Sequence, residues 1–262
     1  MTGTRHRVRA YLQHLLKARS RHGVHSPFIY QLMDEVLCRD APLPEVKDIE
    51  QRRRQLLASR EQIRVTDLGA GSSLGLGMER KVRSIAGSAL KPPRQARLLY
   101  RLVRHFRPGS VLELGTSLGI TTAYLARAAD PGRVITLEGC PNTLNIAREG
   151  LLELGIGKVE AVEGAFERTL PGTLERLGHV DLAFIDGHHD RDATLRYFEL
   201  LLTRSHGGTV LVFDDIHWSP GMTEAWAHIQ EHPRTTVTAD LYHFGLVFLR
   251  EGQARQHFRL RC

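Results

Sequence analysis

Residues 111–119 read VLELGTSLG, a short apolar run that ends in a glutamate and a glycine-containing turn. The next residues, ITTAYLARAA, are typical of a helix, and a second apolar run, VITLEG, places Glu138 23 residues after Gly115. A loop that binds a nucleotide-like cofactor needs a strand, a following helix and an acidic side chain for ribose about 20 residues on. The stretch therefore predicts a cofactor loop in an α/β fold.

A second glycine-containing stretch, VTDLGAGS at 65–72, competes for the same role. It is followed by SLGLGMERKVRSIAGS, which contains neither a second strand nor an acidic residue at the required spacing. We expect this stretch to be a structural turn or a wall near the site.

Short β-branched runs alternate with helical patterns from residue 108 onward, which predicts a parallel sheet covered by helices. Strands are expected near 110–114, 133–138, 158–162, 180–185 and 208–213, with helices near 119–129, 141–154, 166–177, 191–204 and 219–231. Two extended runs, TTVTADL and GLVFLR, follow with a connection too short for a parallel crossover, so the last strand should be antiparallel. The total is seven strands, whereas a dinucleotide-binding fold normally has six parallel ones.

The loop also discriminates between cofactors. A nicotinamide-binding loop uses G-x-G-x-x-G, but counted from Gly115 the later glycine positions hold Ser117 and Ile120. The pattern that is present, E-x-G-x-x-x-G with Glu113, Gly115 and Gly119, suits a ligand without phosphates.

The segment VLELGTSLGITTAYLA resembles motif I of class I S-adenosylmethionine-dependent methyltransferases, in particular the catechol O-methyltransferase-like enzymes that act on small molecules. The resemblance covers about 85–250 and implies a doubly wound, Rossmann-like, seven-stranded sheet with the last strand antiparallel. It implies that Glu113, Gly115, Thr116, Ser117 and Gly119 hold the methionine end of the cofactor and that Glu138 holds its ribose. Gly164, Ala165 and Phe166 would contact the adenine, and Asp186 is also expected at the cofactor.

Acidic residues follow two of the predicted strands, in FIDGHHD at 184–190 and VFDDIHWS at 212–219. If these strands are neighbours, Asp186, Asp214 and Asp215 gather in one region, where a cation would relieve their repulsion. Oxygen ligands of this kind suit Mg²⁺ or Ca²⁺. In the resembling family an Asp and an Asp-Asn pair hold such a cation; Asp186 and Asp214 match, and Asp215 stands where the family has Asn. An alternative is that Asp215 caps the following turn.

His189 lies three residues after Asp186, where the metal-dependent relatives have a catalytic lysine. Histidine as a residue type accepts protons near neutral pH, so we expect His189 to act as general base, with Asp186 beside it. The alternative is a loop histidine that only hydrogen-bonds near the metal. His217 and Trp218 are candidates for the wall of the acceptor pocket.

Charge divides the chain: residues 1–110 hold 22 Lys and Arg against 9 Asp and Glu, and residues 111–262 hold 14 against 20. We predict that 1–90 form a basic, helical N-terminal extension, as a lid or a dimer element, and that 91–262 form the methyltransferase domain. Such charge suggests nucleic acid, an acidic membrane surface or an anionic substrate, or only a solvated helical face.

The three cysteines, Cys38, Cys140 and Cys262, are far apart and lack CxxC spacing, so the sequence indicates neither a disulfide framework nor a zinc site. With no signal peptide and no run of apolar residues long enough for a membrane span, we expect a cytoplasmic protein that does not bind membranes.

The predicted function is transfer of a methyl group from S-adenosylmethionine to a hydroxyl of a small molecule, assisted by Mg²⁺ or Ca²⁺. We expect the chain to form a homodimer. The alternatives are an RNA or other macromolecule methyltransferase, a non-catalytic S-adenosylmethionine-binding protein and a nicotinamide oxidoreductase. Nucleic acid is disfavoured because IDGHH stands where amino-methylating enzymes have Asn/Asp-Pro-Pro-aromatic.

Overall fold

The computed structural model describes residues 2–66 and 78–262. They form two compact units, one of Met1–Arg39 with Arg176–Cys262 and the other of Asp40–Glu175. The domain boundary predicted near residue 90 stays a prediction, because a division into compact units does not test where the methyltransferase domain begins.

The helices are α1 Thr2–Lys17, α2 Pro27–Leu32, α3 Lys47–Ala58, α4 Val82–Ala89, α5 Pro93–Phe106, α6 Ile120–Ala129, α7 Pro141–Glu153, α8 Phe166–Leu177, α9 Arg191–Leu202 and α10 Pro220–Glu231. The strands are β1 Gln62–Val65, β2 Met78–Lys81, β3 Ser110–Leu114, β4 Arg133–Glu138, β5 Val159–Glu163, β6 Val180–Ile185, β7 Ser205–Asp214, β8 Val237–Asp240, β9 Phe244–Phe248 and β10 Gln256–Arg259. Within the described ranges, no helix is long and apolar enough to cross a bilayer.

The unit of residues 40–175 contains three parallel strands, in which β4 pairs with both β3 and β5. Every residue of β3 is buried, as expected for a parallel strand covered by helices on both faces. Since parallel strands end at the same edge, the carboxyl ends of β3, β4 and β5 present Leu114, Glu138 and Glu163 together. This edge positions the predicted cofactor loop.

A small antiparallel hairpin, β1 with β2, belongs to the same unit. It interrupts the extension that the sequence predicts to be helical. Of the competing stretch VTDLGAGS, Val65 ends β1 and the backbone N–H of Thr66 donates to Cys140 Sγ at 3.3 Å. Residues 67–72 lie outside the described residues, so the role predicted for that stretch stays a prediction.

The other unit has the strand order β10-β8-β9-β7-β6. Strands β6 and β7 are parallel, and β9 runs antiparallel to both β7 and β8, as the short connection in the sequence predicts. The α/β class with a mostly parallel sheet is confirmed, and so are the seven strands β3 to β9. Strand β10, which pairs parallel to β8, was not predicted from the sequence.

The segment SPFIYQLMDEVL begins with a helix, since Ser26 caps α2 by accepting from the backbone N–H of Ile29 and Pro27 occupies the first turn. The helix does not continue regularly to residue 37. Residues Met33–Leu37 form a turn of π-helix, and their apolar side chains Met33, Val36 and Leu37 are buried.

Cys38 and Cys262 form a disulfide, and Cys140 is a buried free cysteine. The expectation that the cysteines form no disulfide is therefore wrong. The two partners are separated by 224 residues in sequence, and their Cα atoms lie 4.9 Å apart. Cysteine spacing alone cannot reveal a pair that tertiary structure brings together over such a distance.

A buried ionic cluster connects α1 to the C-terminal strands. The Asp240 carboxylate lies 3.2 Å from His14 Nδ1, 3.0 Å from His217 Nε2 and 3.2 Å from Arg259 Nε, and it accepts from the backbone N–H of Tyr242. Burial by itself raises the pKa of Asp240, but the hydrogen bonds from His14 and His217 outweigh this effect and hold the pKa far below its ordinary value. Asp240 is thus a buried anion whose partners stabilise its charge.

We expect Asp240→Asn to lower the free energy of unfolding by about 3 kcal/mol, because removal of one partner from a buried ionic cluster leaves the others uncompensated. The stabilisation depends on an ionised Asp240, so in the wild type it is complete above the ordinary aspartate pKa and is lost as pH falls below it. Urea denaturation at several pH values measures both effects. Asp181→Asn is the control, since Asp181 pairs with the exposed His206 and should cost less than about 1 kcal/mol; equal losses in both variants would contradict the account.

Candidate active site

The turn after β3 has positive backbone φ angles, which residues with a side chain rarely adopt. Gly115 and Gly119 have φ of 103° and 79°, and Ser117 between them has φ of 48°. A Cβ on Gly119 would lie 2.8 Å from Ala147 Cβ, so glycine is needed there for conformation and for space. The turn leads into α6, whose first backbone N–H groups have no partner within the helix and suit an electronegative ligand group.

Glu138 ends β4 and its carboxylate is fixed by two backbone donors. Oε2 accepts from the N–H of Ser117 at 2.7 Å, and Oε1 accepts from the N–H of Cys140 at 2.9 Å. Burial raises the pKa of Glu138, partly offset by these N–H donors. The acidic residue that the sequence picked by spacing therefore lies against the glycine turn.

Glu113 occupies a different environment from the one expected of a cofactor ligand. Its side chain is completely buried, and Oε2 accepts from the hydroxyls of Thr122 at 2.5 Å and Thr136 at 2.7 Å. Thr116, also buried, shares a 2.5 Å hydrogen bond with Thr136. These contacts connect β3, β4 and α6 beneath the turn, and so fix its shape. The cofactor contacts predicted for Glu113 and Thr116 stay predictions.

The turn after β5 lies beside Glu138. Gly164 has φ of 135°, and its backbone N–H donates to the Glu138 carbonyl at 2.9 Å. Ala165 and Phe166 follow at the start of α8, where the Ala165 carbonyl accepts from the N–H groups of Arg168 and Thr169. The predicted adenine residues are thus next in space to the predicted ribose residue.

Three of the residues predicted for catalysis or metal binding form a cluster in the other unit. One ligand atom each of Asp186, His189 and Asp214 lies within 4.8 Å of the other two. Asp186 follows β6, and Asp214 ends the neighbouring parallel strand β7, which explains why the sequence predicted their proximity. His189 Nε2 lies 3.6 Å from Asp186 Oδ1.

The loop that carries His189 is strained and well anchored. His188 and His189 have φ of 63° and 31°, which costs about 1–3 kcal/mol at each non-glycine residue. A hydrogen bond between His188 Nδ1 and the Tyr197 hydroxyl holds one side of the loop. Asp190 holds the other side by capping α9, where it accepts from the N–H groups of Asp192 and Ala193. These anchors keep His189 against Asp186.

Asp215 is not part of the cluster. Its backbone has φ of 50°, and it lines a cavity of about 430 Å³ together with Trp218, Tyr242 and Arg7. The Arg7 guanidinium lies over the Trp218 ring, 4.3 Å from its centroid, and the His189 ring lies 6.3 Å from that of Trp218. His217 also lines this cavity, so His217 and Trp218, the two residues predicted for the pocket wall, both lie along it. Arg7 of α1 belongs to the same wall, and the lid or dimer role predicted for residues 1–90 stays a prediction.

Comparison with known proteins agrees with this geometry. A family model described as a methyltransferase domain matches residues 112–216. Residues 112–216 thus resemble a class I methyltransferase domain. Solved structures similar to it include an O-methyltransferase from Bacillus cereus in complex with S-adenosylhomocysteine (21% identity, TM-score 0.56, 85% of this chain and 97% of that one). Another is a Podospora anserina methyltransferase bound to the same molecule (17% identity, TM-score 0.60, 86% and 94%). At these identities the likeness shows the fold alone.

The resemblance to the catechol O-methyltransferase group is confirmed by sequence. The methyltransferase domain is similar to a catechol O-methyltransferase of Mycobacterium tuberculosis, with 38% identity over 124 residues, which are 47% of this chain and 54% of the relative. It is also similar to catechol O-methyltransferase B of Danio rerio, with 40% identity over 45% of this chain and 47% of the relative. The chain thus spans about half the length of the curated relatives it matches.

Proposed function

We propose that this chain transfers a methyl group from S-adenosylmethionine to a hydroxyl of a small molecule, with Mg²⁺ or Ca²⁺ at Asp186 and Asp214. The observation that carries the proposal is the position of Glu138, which the glycine turn holds through the backbone N–H of Ser117. The names of the similar proteins support a hydroxyl acceptor.

The residues fit the cofactor. The Glu138 carboxylate is a strong acceptor beside the glycine turn and is only partly buried, so ribose hydroxyls can donate to it. Gly115, Ser117 and Gly119, all with positive φ in the turn before α6, would hold the methionine end. Gly164, Ala165 and Phe166, next to Glu138, would contact the adenine. The cofactor supplies an electrophilic methyl group on a positively charged sulfur.

The residues also fit a cation. Asp186 and Asp214 are two carboxylates that converge beside a histidine, and such a donor set is stabilised by bound positive charge. Mg²⁺ and Ca²⁺ prefer oxygen, so we assign the two carboxylates as ligands. A bound cation lowers the pKa of the acceptor hydroxyl. Asp215, which the sequence analysis included as a ligand, we place in the acceptor cavity.

The chain's own residues then position the acceptor and move its proton. Trp218 and Tyr242 offer ring faces for an aromatic acceptor along the cavity wall. His189 Nε2 takes the hydroxyl proton, and Asp186 stabilises the imidazolium that forms. The acceptor oxygen forms a bond to the methyl carbon as the carbon–sulfur bond breaks, its electron pair going to sulfur, and S-adenosylhomocysteine leaves.

Several finer features belong to this proposal. A small-molecule acceptor remains our preference over RNA, and an intact Asp186, His189 and Asp214 set favours an enzyme over a non-catalytic cofactor-binding protein. The proposed location is the cytoplasm, although the Cys38–Cys262 disulfide is a bond that reducing compartments disfavour. Mass measurement in solution tests the proposed homodimer.

We expect Glu138→Gln to weaken binding of S-adenosylhomocysteine by about 1–3 kcal/mol, the scale of hydrogen bonds to a charged group. In the wild type, affinity should fall as pH decreases through the raised pKa of Glu138, because the protonated carboxyl loses acceptor capacity. The pH at which this occurs should lie above the ordinary glutamate range, and Glu138→Gln should remove the dependence. Calorimetric titration at several pH values measures both.

Glu163→Gln provides the matched control. Glu163 is exposed and lies directly beside Glu138 in the β4–β5 pairing. Loss of one negative charge there tests general electrostatics without removing the proposed ribose contact. Equal weakening in the two variants would show that Glu138 acts only through its charge.

We expect His189→Gln to slow single-turnover methyl transfer at least about 10²-fold, because general-base catalysis contributes at least that much. The Mg²⁺ affinity of the variant should remain that of the wild type, since the same Nε2 cannot both accept a proton and bind a cation. Rapid-quench kinetics and metal titration by calorimetry separate the two roles. A normal rate of methyl transfer would refute the base role. Loss of Mg²⁺ binding would show instead that His189 is a metal ligand.

A further inference from the structure

Helix α1 carries an apolar face that the chain leaves in solvent. Val8 and Leu12 are each 55% exposed, Leu15 is 39% exposed and Leu16 is 86% exposed. Their spacing of three and four residues places them on one side of the helix. The opposite side is attached to its own unit, with His14 buried against Asp240. Val8 and Leu12 also border the cavity that Asp215 and Trp218 line, whereas Leu15 and Leu16 are not part of its wall. The exposed face is separate from the side of the helix that holds His14 against Asp240.

Basic side chains border this apolar face. Arg5 and Arg9 are exposed and lie along the same groove as Val8, Leu12 and Leu16. Residues 1–33 contain six Lys and Arg and no Asp or Glu at all. The surface thus combines exposed aliphatic side chains with uncompensated positive charge.

The charge decides what can cover the face. Two copies of the chain that met through α1 would bring two wholly basic segments together, and no carboxylate of residues 1–33 would neutralise either. A surface that is negatively charged and accepts aliphatic side chains is complementary in both respects. Anionic phospholipid headgroups over acyl chains have this chemistry.

We propose that, contrary to the sequence-based expectation of no membrane binding, the exposed face of α1 binds anionic lipid bilayers, with the helix lying in the plane of the interface. Val8, Leu12, Leu15 and Leu16 enter the boundary between headgroups and acyl chains, and Arg5 and Arg9 pair with the phosphates. The helix has 16 residues and is about 24 Å long at 1.5 Å per residue, which suits an interfacial rather than a spanning position. The proposal does not depend on methyl transfer.

Co-sedimentation of the full chain with vesicles tests this. The chain should bind phosphatidylcholine vesicles that contain about one-third phosphatidylserine, bind pure phosphatidylcholine vesicles far more weakly, and detach at high salt. Leu16→Asp should lower the partition coefficient about tenfold or more, since it removes an aliphatic side chain that the bilayer would bury. Arg9→Ala should lower it about fivefold, the effect of one basic residue near an anionic surface.

Leu152→Asp is the matched control, because Leu152 is 70% exposed but belongs to α7, in the unit of residues 40–175, and not to α1. It should bind vesicles as the wild type does, and circular dichroism should show all three variants folded. Equal binding to neutral and anionic vesicles, or an equal loss in Leu152→Asp, would overturn the proposal. So would a wild-type dimer, seen by light scattering, that Leu16→Asp dissociates, since the face would then join two copies of the chain.

Discussion

Asp214→Asn should reduce the rate of methyl transfer about 10³-fold or more while leaving the affinity for S-adenosylhomocysteine unchanged. The expectation follows from the cluster of Asp186, His189 and Asp214, since a bound cation supplies several kcal/mol of stabilisation to a developing oxyanion and each 1.4 kcal/mol is worth tenfold in rate. Asp186→Asn should behave in the same way. Chelation should remove the activity of the wild type, and added Mg²⁺ should restore it.

Asp215→Asn is the control for this prediction. Asp215 is adjacent in sequence and carries the same charge, but it lies along the cavity and outside the cluster. Its replacement by the residue found in the resembling family should change the rate by less than about tenfold. Because Asp214 is buried, thermal unfolding must show that Asp214→Asn is folded. A wild type indifferent to chelators, or a loss confined to Asp215→Asn, would show that the metal ligands are wrongly assigned.

Gly115→Val should abolish binding of S-adenosylmethionine. Gly115 has φ of 103°, and its N–H donates to the Leu137 carbonyl at 2.9 Å, so a side chain at this position would both strain the turn and occupy the space left for the ligand. The measurement is calorimetric titration of the folded variant.

The contribution of strain alone is controlled by Gly155→Val. Gly155 also has a positive φ, of 69°, but an added Cβ would contact nothing within 4 Å. That variant should lose some stability and keep full cofactor affinity. Normal binding by Gly115→Val, together with loss of binding on replacement of Gly69 or Gly71, would mean that VTDLGAGS is the cofactor loop.

The local features of the fold were predictable from the sequence because they depend on local patterns. Strands β3, β4 and β6 are short apolar runs, and each is found within one residue of its predicted bounds. The glycine turn and Glu138 follow from a spacing that the chemistry of ribose binding requires. Asp186 and Asp214 follow from parallel strands that end at one edge.

The features that were missed depend on contacts between distant segments. The sequence QHFR of β10 is four mostly polar residues, and only its pairing with β8 makes it a strand. Likewise the spacing of His14, His217 and Asp240 in the sequence does not indicate that they form a cluster. The Cys38–Cys262 bond joins the two chain segments that make up one unit. The motif predicts a functional role for Glu113, but only the packing shows that its carboxylate accepts from Thr122 and Thr136.

We expect the loop at 111–119 to make this chain a binder of S-adenosylmethionine. The most direct measurement is a calorimetric titration of the full-length wild type with S-adenosylhomocysteine and, separately, with NAD. Our account predicts saturable binding of S-adenosylhomocysteine, lost in Gly115→Val, and no binding of NAD. Binding of NAD in its place, or of neither ligand by a folded chain, would contradict it.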